Sequence, residues 1–234
     1  MGAIFRREVL SYFTSPIGYI FLAAFYASSA LFFSIYSLEQ GSTKLDVVFG
    51  QLMLILVVLI PILTMRTISE EKKNKTDQCL LTSPVSLFGI VAGKFLAAFL
   101  IYVLGVAITL VYAVVVSVFA SPDWTVILGN VVGLSLLGAA FISIGIFCSS
   151  FTENQMVSAV VSFVVLVVLY LFSTIAGLIP VEFIKKILTS LSFLERYSGF
   201  TYGLFDLSNV LFFISTVVVF LFLTVRVLER RRWA

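Results

Sequence analysis

The chain contains no histidine. That removes the commonest metal ligand and the commonest general base from any catalytic scheme. Cysteine is nearly absent as well. Cys79 and Cys148 stand alone, without CxxC spacing, so neither a disulfide framework nor a zinc site is supported. Charge is scarce: 12% of the residues are charged and 61% are hydrophobic, against about a quarter charged and half apolar in a soluble domain. A formal charge of +3, with no basic groove carrying interleaved aromatics, excludes nucleic acid as a partner. No linker, repeat or low-complexity tract divides residues 1–234, which read as one domain.

What remains is hydrophobic length. Six segments carry no Asp, Glu, Lys or Arg: Pro16–Leu38, Val47–Met65, Phe95–Ala120, Val126–Cys148, Val157–Ile179 and Leu207–Val225. Each is close to the ~20 residues that a helix needs to cross a ~30 Å hydrocarbon core. The expected fold class is therefore an all-α polytopic membrane protein with six transmembrane helices. An even count puts both termini on one side. Arg6, Arg7, Arg66, Lys72, Lys73, Lys75, Lys94, Arg226, Arg230, Arg231 and Arg232 fall on that side, and Lys44, Lys185, Lys186 and Arg196 on the other. Eleven cations against four predict cytoplasmic termini in a multi-pass protein of the cell (inner) membrane.

Before the first span, Phe5, Val9, Tyr12 and Phe13 recur at helical spacing, with Arg6, Arg7 and Glu8 beside that face. This predicts an interfacial amphipathic helix on the inner leaflet, its cations near lipid headgroups. A signal peptide fits less well, because the following apolar run is too long and ends on no clear cleavage site. Pro61 lies inside the second span and predicts a bend near Val57–Pro61. The fourth span is rich in small residues. Its Gly129-xxx-Gly133 pair allows close helix packing, within one chain or between two. Thr152 is the expected N-cap of span five, with Gln155 three residues on. Between spans five and six, Ile184, Ile187, Leu188 and Leu191 share one helical face opposite Lys185, Lys186, Thr189 and Ser190. That predicts a short external helical cap at the outer leaflet.

The longest charged interruption is Arg66–Pro84, reading RTISEEKKNKTDQCLLTSP. Two readings stand side by side. It is a solvated, positively charged loop, or it is a short helix that docks on a soluble partner through Cys79, Leu80 and Leu81. The nearby FGIVAGKF (Phe88–Phe95) is not a phosphate-binding loop. Its spacing is one residue short, Phe95 stands where Ser or Thr would hold magnesium, and no strand precedes it. Lys94 is expected to snorkel to the headgroups.

The run Ser69-Glu70-Glu71-Lys72, then Thr76, Leu80-Leu81 and Ser83-Pro84, resembles the first cytoplasmic loop of ABC-2-type transporter permeases. Asn74-Lys75 replaces the usual Gly before Thr76, and Gln78 stands where Glu is common. Gly93-Lys94-Phe95 resembles the start of that family's third span. Glu8…Tyr12-Phe13…Ser15-Pro16 and Gly203-x-x-Asp206 are similar to the gliding-motility-type subgroup, although Phe193 stands where Pro is expected. The resemblance implies a non-catalytic permease subunit with no cofactor of its own, ATP and magnesium being held by a separate ABC ATPase. It further implies a second permease copy, paired as a homodimer, and contact with membrane lipids. It places Glu70, Glu71, Thr76, Cys79, Leu80, Leu81 and Pro84 at the ATPase-docking positions of a coupling helix. Two other classes compete poorly. A secondary transporter or channel needs ionisable groups at membrane depth, and the spans offer only Gln51, Asn130, Asn209 and hydroxyls. A membrane enzyme needs a nucleophile, base or metal site. The apolar, aromatic-rich spans lean towards an amphiphilic cargo.

Overall fold

A computed structural model describes residues 2–39, 45–76, 86–119, 123–179, 181–203 and 206–232, with side chains to residue 230. The described residues form helices throughout: α1 (Gly2–Thr14), α2 (Pro16–Phe33, continued by one π-turn, Ser34–Leu38), α3 (Asp46–Thr64), α4 (Ser69–Lys73), α5 (Leu87–Val106), α6 (Ile108–Phe119), α7 (Trp124–Ser149), α8 (Gln155–Leu178), α9 (Glu182–Leu191), α10 (Phe193–Thr201) and α11 (Leu207–Arg232). Six helical stretches are long and apolar enough to cross a membrane. In lipid a helix satisfies its own backbone polar groups, which is why these uncharged runs take no other form.

Local chemistry sets the ends. Pro16 opens α2 at a position where its missing N–H costs nothing. The Ser86 hydroxyl accepts from Gly89 N–H (3.2 Å), and Asp123 accepts from Thr125 N–H (3.0 Å). At span five the cap is Asn154, which accepts from Met156 N–H at 2.9 Å, and not Thr152. Thr152 instead accepts from Asn154 N–H (3.1 Å), one step earlier in the same turn. Asn outranks Thr as a cap. The third span starts at Leu87, eight residues before the expected Phe95, so Lys94 lies inside the helix. It is interrupted at Ala107, between α5 and α6. Pro61 lies inside α3, which continues to Thr64.

The most buried span is α7; α8 and α11 are the least. The small residues of α7 make this possible. A side chain at Gly133 would meet the Phe200 ring at 2.7 Å, Gly138 faces Tyr102, and Gly145 faces Thr64. The small-residue pair thus serves packing within the chain at Gly133. Tyr102 completes the seam by donating to Leu134 O at 2.6 Å.

The segment between spans five and six is more than a surface cap. α9 has no buried residue, but α10 buries Phe193, Tyr197 and Phe200. Tyr197 donates to Asn130 Oδ1 (3.1 Å). The Phe193 ring stands 5.5 Å from Phe141, on the eighteenth of the 26 residues of α7. By 1.5 Å per residue, that is about 25 Å along the helix. α9 and α10 therefore make a hairpin whose tip reaches in among the spans. The opposite end of the bundle, where α1 and α4 lie, is the charged end.

Candidate functional site

At the charged end, four elements meet around one ammonium group. α1 is amphipathic, but its buried face carries a charge: Ile4 and Tyr12 are buried, and Glu8, between them, is largely covered. Gly93 of α5 allows the approach. A side chain there would meet Ile4 at 3.2 Å and Phe5 N at 3.4 Å. The next residue, Lys94, is 2% exposed. Its Nζ lies 3.1 Å from Glu8 and 2.9 Å from Glu71, and donates to Thr67 O at 2.8 Å. Lys94 does not snorkel: its ammonium is enclosed by α1, α4 and the turn that joins α3 to α4. The reason is energetic. A buried cation is tolerated when paired carboxylates and further acceptors replace its water, and here three oxygens do so.

Arg7 closes the figure, donating to both Glu8 and Glu71 at 2.6 Å. Two cations and two carboxylates alternate, so the group carries no net charge. Burial opposes ionisation of Glu8, yet the Lys94 ammonium and hydrogen bonds from Arg7 and Lys94 outweigh it and hold the carboxyl below its ordinary range. Burial likewise works against the Arg7 charge, but Glu8 and Glu71 raise its pKa. Burial pushes Tyr12 up to about 12, so it stays a neutral donor, to Leu63 O at 3.1 Å. Arg66 pairs with Glu70 at 3.0 Å and donates to Ser11 at 2.7 Å. A cavity of about 280 Å³ opens among these groups, also lined by Asn74 and Thr76.

α4 is tied to the end of α7 as well. The Ser149 hydroxyl accepts from Ile68 N–H (3.2 Å) and Ser69 N–H (3.1 Å) and donates to Met65 O (3.2 Å). Lys72 is buried and donates to Ser150 O. The reading of a solvated, positively charged loop is therefore corrected at Lys72, whose ammonium sits at the C-terminal carbonyls of α7, where a cation is favoured. Lys73 remains exposed. α4 ends in a Schellman turn: Thr76 N–H bonds Glu71 O (2.9 Å), Lys75 N–H bonds Lys72 O (3.1 Å), and Lys75 is left-handed at φ 54°.

Of the expected docking residues, Glu70, Glu71 and Thr76 come together at the cavity rim. Cys79, Leu80, Leu81 and Pro84 lie outside the described residues. Sequence reasoning missed the joining of Glu8, Lys94 and Glu71. The available signal was complementarity: one carboxylate within an amphipathic helix, and one lysine at the head of an apolar run.

The buried ionic joint ties the root of a loop between spans to α1 and α5. The chain matches the family model described as ABC-2 family transporter protein over residues 14–233. It belongs to the ABC-2 family. The match covers all six spans, and membership identifies a multi-pass membrane protein of the permease type, within a family that works with ABC ATPases. Comparison with curated proteins found no match.

Proposed function

We propose that this ABC-2 protein is the permease subunit of an ATP-driven exporter and that Arg66–Pro84 is its coupling loop. A separate ABC ATPase hydrolyses ATP with magnesium. It docks through Glu70, Glu71, Thr76, Cys79, Leu80, Leu81 and Pro84, and two permease copies flank the path of an amphiphilic cargo. The charged end faces the cytoplasm of the inner membrane, in keeping with the eleven-to-four division of cations. The gliding-motility-type resemblance belongs to the same proposal.

The observation that carries the reading is the fastening of the loop root. Glu71 reaches α1 and α5 through Arg7 and Lys94, and Ile68, Ser69 and Lys72 reach α7. A push on the loop would move α1, α3, α5 and α7 together, as coupling requires, whereas a merely solvated connector needs no such anchorage. Leu80 and Leu81 supply the contact, since burying one Leu contributes about 1.5–3 kcal/mol and interfaces concentrate their energy in few residues. The test is co-purification with the ABC ATPase encoded nearest to this chain. Leu80→Asp with Leu81→Asp is expected to release the ATPase and leave membrane insertion intact. Wild-type stoichiometry in the double variant would reduce the loop to a connector.

A further inference from the structure

Glu195 is an exposed carboxylate on the hairpin that reaches in among the spans. It lies two residues beyond Phe193, whose ring meets Phe141 far along α7. Its side-chain partner is the Ser173 hydroxyl, which donates to Glu195 Oε1 at 3.2 Å. Ser173 stands five residues before the end of α8 at Leu178, about 8 Å along the helix. The carboxylate is therefore held alongside a span, not beyond it.

Among the described residues no cation compensates it: no Lys or Arg nitrogen lies within 4.0 Å of Glu195. Arg196, its neighbour in sequence, is turned towards α11. There it donates to Ser208 (3.2 Å) and Asn209 (3.1 Å), and its guanidinium lies 5.3 Å from the Phe212 ring. Lys185 and Lys186 of α9 line a different recess, with Ile179, Glu182 and Thr189. Asp206 is engaged in capping α11 through Ser208 N–H (2.9 Å).

An ionisable group at membrane depth is tolerated where it meets a partner or a water-filled cavity, and such groups mark substrate paths. Glu195 has one neutral partner. We propose that the Glu195–Ser173 face lines a water-filled recess at the hairpin end of the bundle and receives the cationic headgroup of an amphiphile. An ionised carboxylate only accepts hydrogen bonds, so the complementary ligand is a donor with positive charge. Tyr170, one turn before Ser173, offers an aromatic surface of the kind that ammonium groups favour. On α9, Ile184, Ile187 and Leu191 leave exposed apolar surface for a tail. This site deepens the permease reading and rests on it only in being called part of the transport path.

The experiment uses the full chain in lipid vesicles, with Cys79→Ser and Cys148→Ala as background. Ser173→Cys, with Thr174→Cys as a second reporter, is labelled by a membrane-impermeant methanethiosulfonate, which reacts in water. Both are expected to react, while Ile175→Cys does not. Dodecyltrimethylammonium below its micellar concentration is expected to slow the reaction about tenfold, as one charge-assisted contact would, and dodecyl maltoside to leave it unchanged. Glu195→Gln abolishes that protection, whereas Glu195→Asp and Glu182→Gln retain it. Two unreactive reporters overturn the recess. Protection that is equal with maltoside, or that survives Glu195→Gln, overturns the cationic ligand. Either result leaves ATPase co-purification untouched, so failure here is distinct from failure of the permease reading.

Discussion

Lys72 donates to the main-chain carbonyl of Ser150, so a loop lysine caps the end of the most buried span. Its neighbour Lys73 is exposed. Two lysines adjacent in sequence thus have different work. Lys72→Ala is expected to lower the melting temperature of the purified protein, by an amount consistent with losing a charged hydrogen bond, about 1.5–3 kcal/mol. Lys73→Ala should change it by no more than an exposed ion pair, about 0–1 kcal/mol. Equal effects would mean that Lys72 is not anchored on α7.

Lys94→Met leaves Glu8 and Glu71 facing each other without their shared ammonium. Removing one partner of a buried ionic group costs about 3–5 kcal/mol, whereas replacing the whole group by neutral residues costs much less. Lys94→Met is therefore expected to melt well below wild type, and the combination Lys94→Met, Arg7→Gln, Glu8→Gln, Glu71→Gln, which neutralises all four members, to recover most of the loss. A combined variant less stable than the single one would contradict the joint described here.

Acid should act through Glu8. Its folded pKa lies below the ordinary 4.5, so the stabilisation is complete above that value and is lost as pH falls through the depressed folded pKa. Melting temperatures are expected to show no pH dependence from this group between neutrality and the ordinary 4.5, where its stabilisation is fully present, then to fall as pH drops below that value. Glu8→Gln should weaken that acid-side fall. An unchanged profile in the variant would assign the acid sensitivity elsewhere.

Lys75 occupies the left-handed position after α4, where a side chain costs about 1–2 kcal/mol. Lys75→Gly is expected to stabilise the turn by about 1 kcal/mol after the added unfolded-state entropy of glycine. Hydrogen exchange at Lys75 and Thr76 N–H should slow. Faster exchange would show that the lysine contributes more than its backbone conformation costs.

The six spans were legible because absence of charge is a property of sequence alone, and it marked Pro16–Leu38 to the residue. The same criterion placed the start of the third span too late. It treats Lys94 as a boundary, while the helix begins at Leu87 and carries the lysine inside. Only partners distant in sequence, Glu8 and Glu71, make that position tolerable. The amphipathic pattern marked a helix before the first span; of its apolar positions Tyr12 is buried, whereas Phe13 is exposed and packs edge-on against Tyr19, 6.2 Å away. The inward reach of α10 was hidden for another reason. Phe200 needs the space left by Gly133 and Tyr197 the acceptor on Asn130, each 67 residues earlier. The Gly203-x-x-Asp206 spacing, noted as a resemblance, has a local physical content: Gly203 is left-handed (φ 71°) and Asp206 caps α11.

The ionic joint has an order of arrival written into it. Glu8, Thr67 and Glu71 all precede Lys94 in the chain. During synthesis, the two carboxylates and the carbonyl emerge from the ribosome before the lysine that they enclose. Arg7, older still, meets the first negative charge at once. When the third span enters the bilayer, its lysine finds its acceptors already made, and the dehydrated ammonium need not wait for a later segment of the protein.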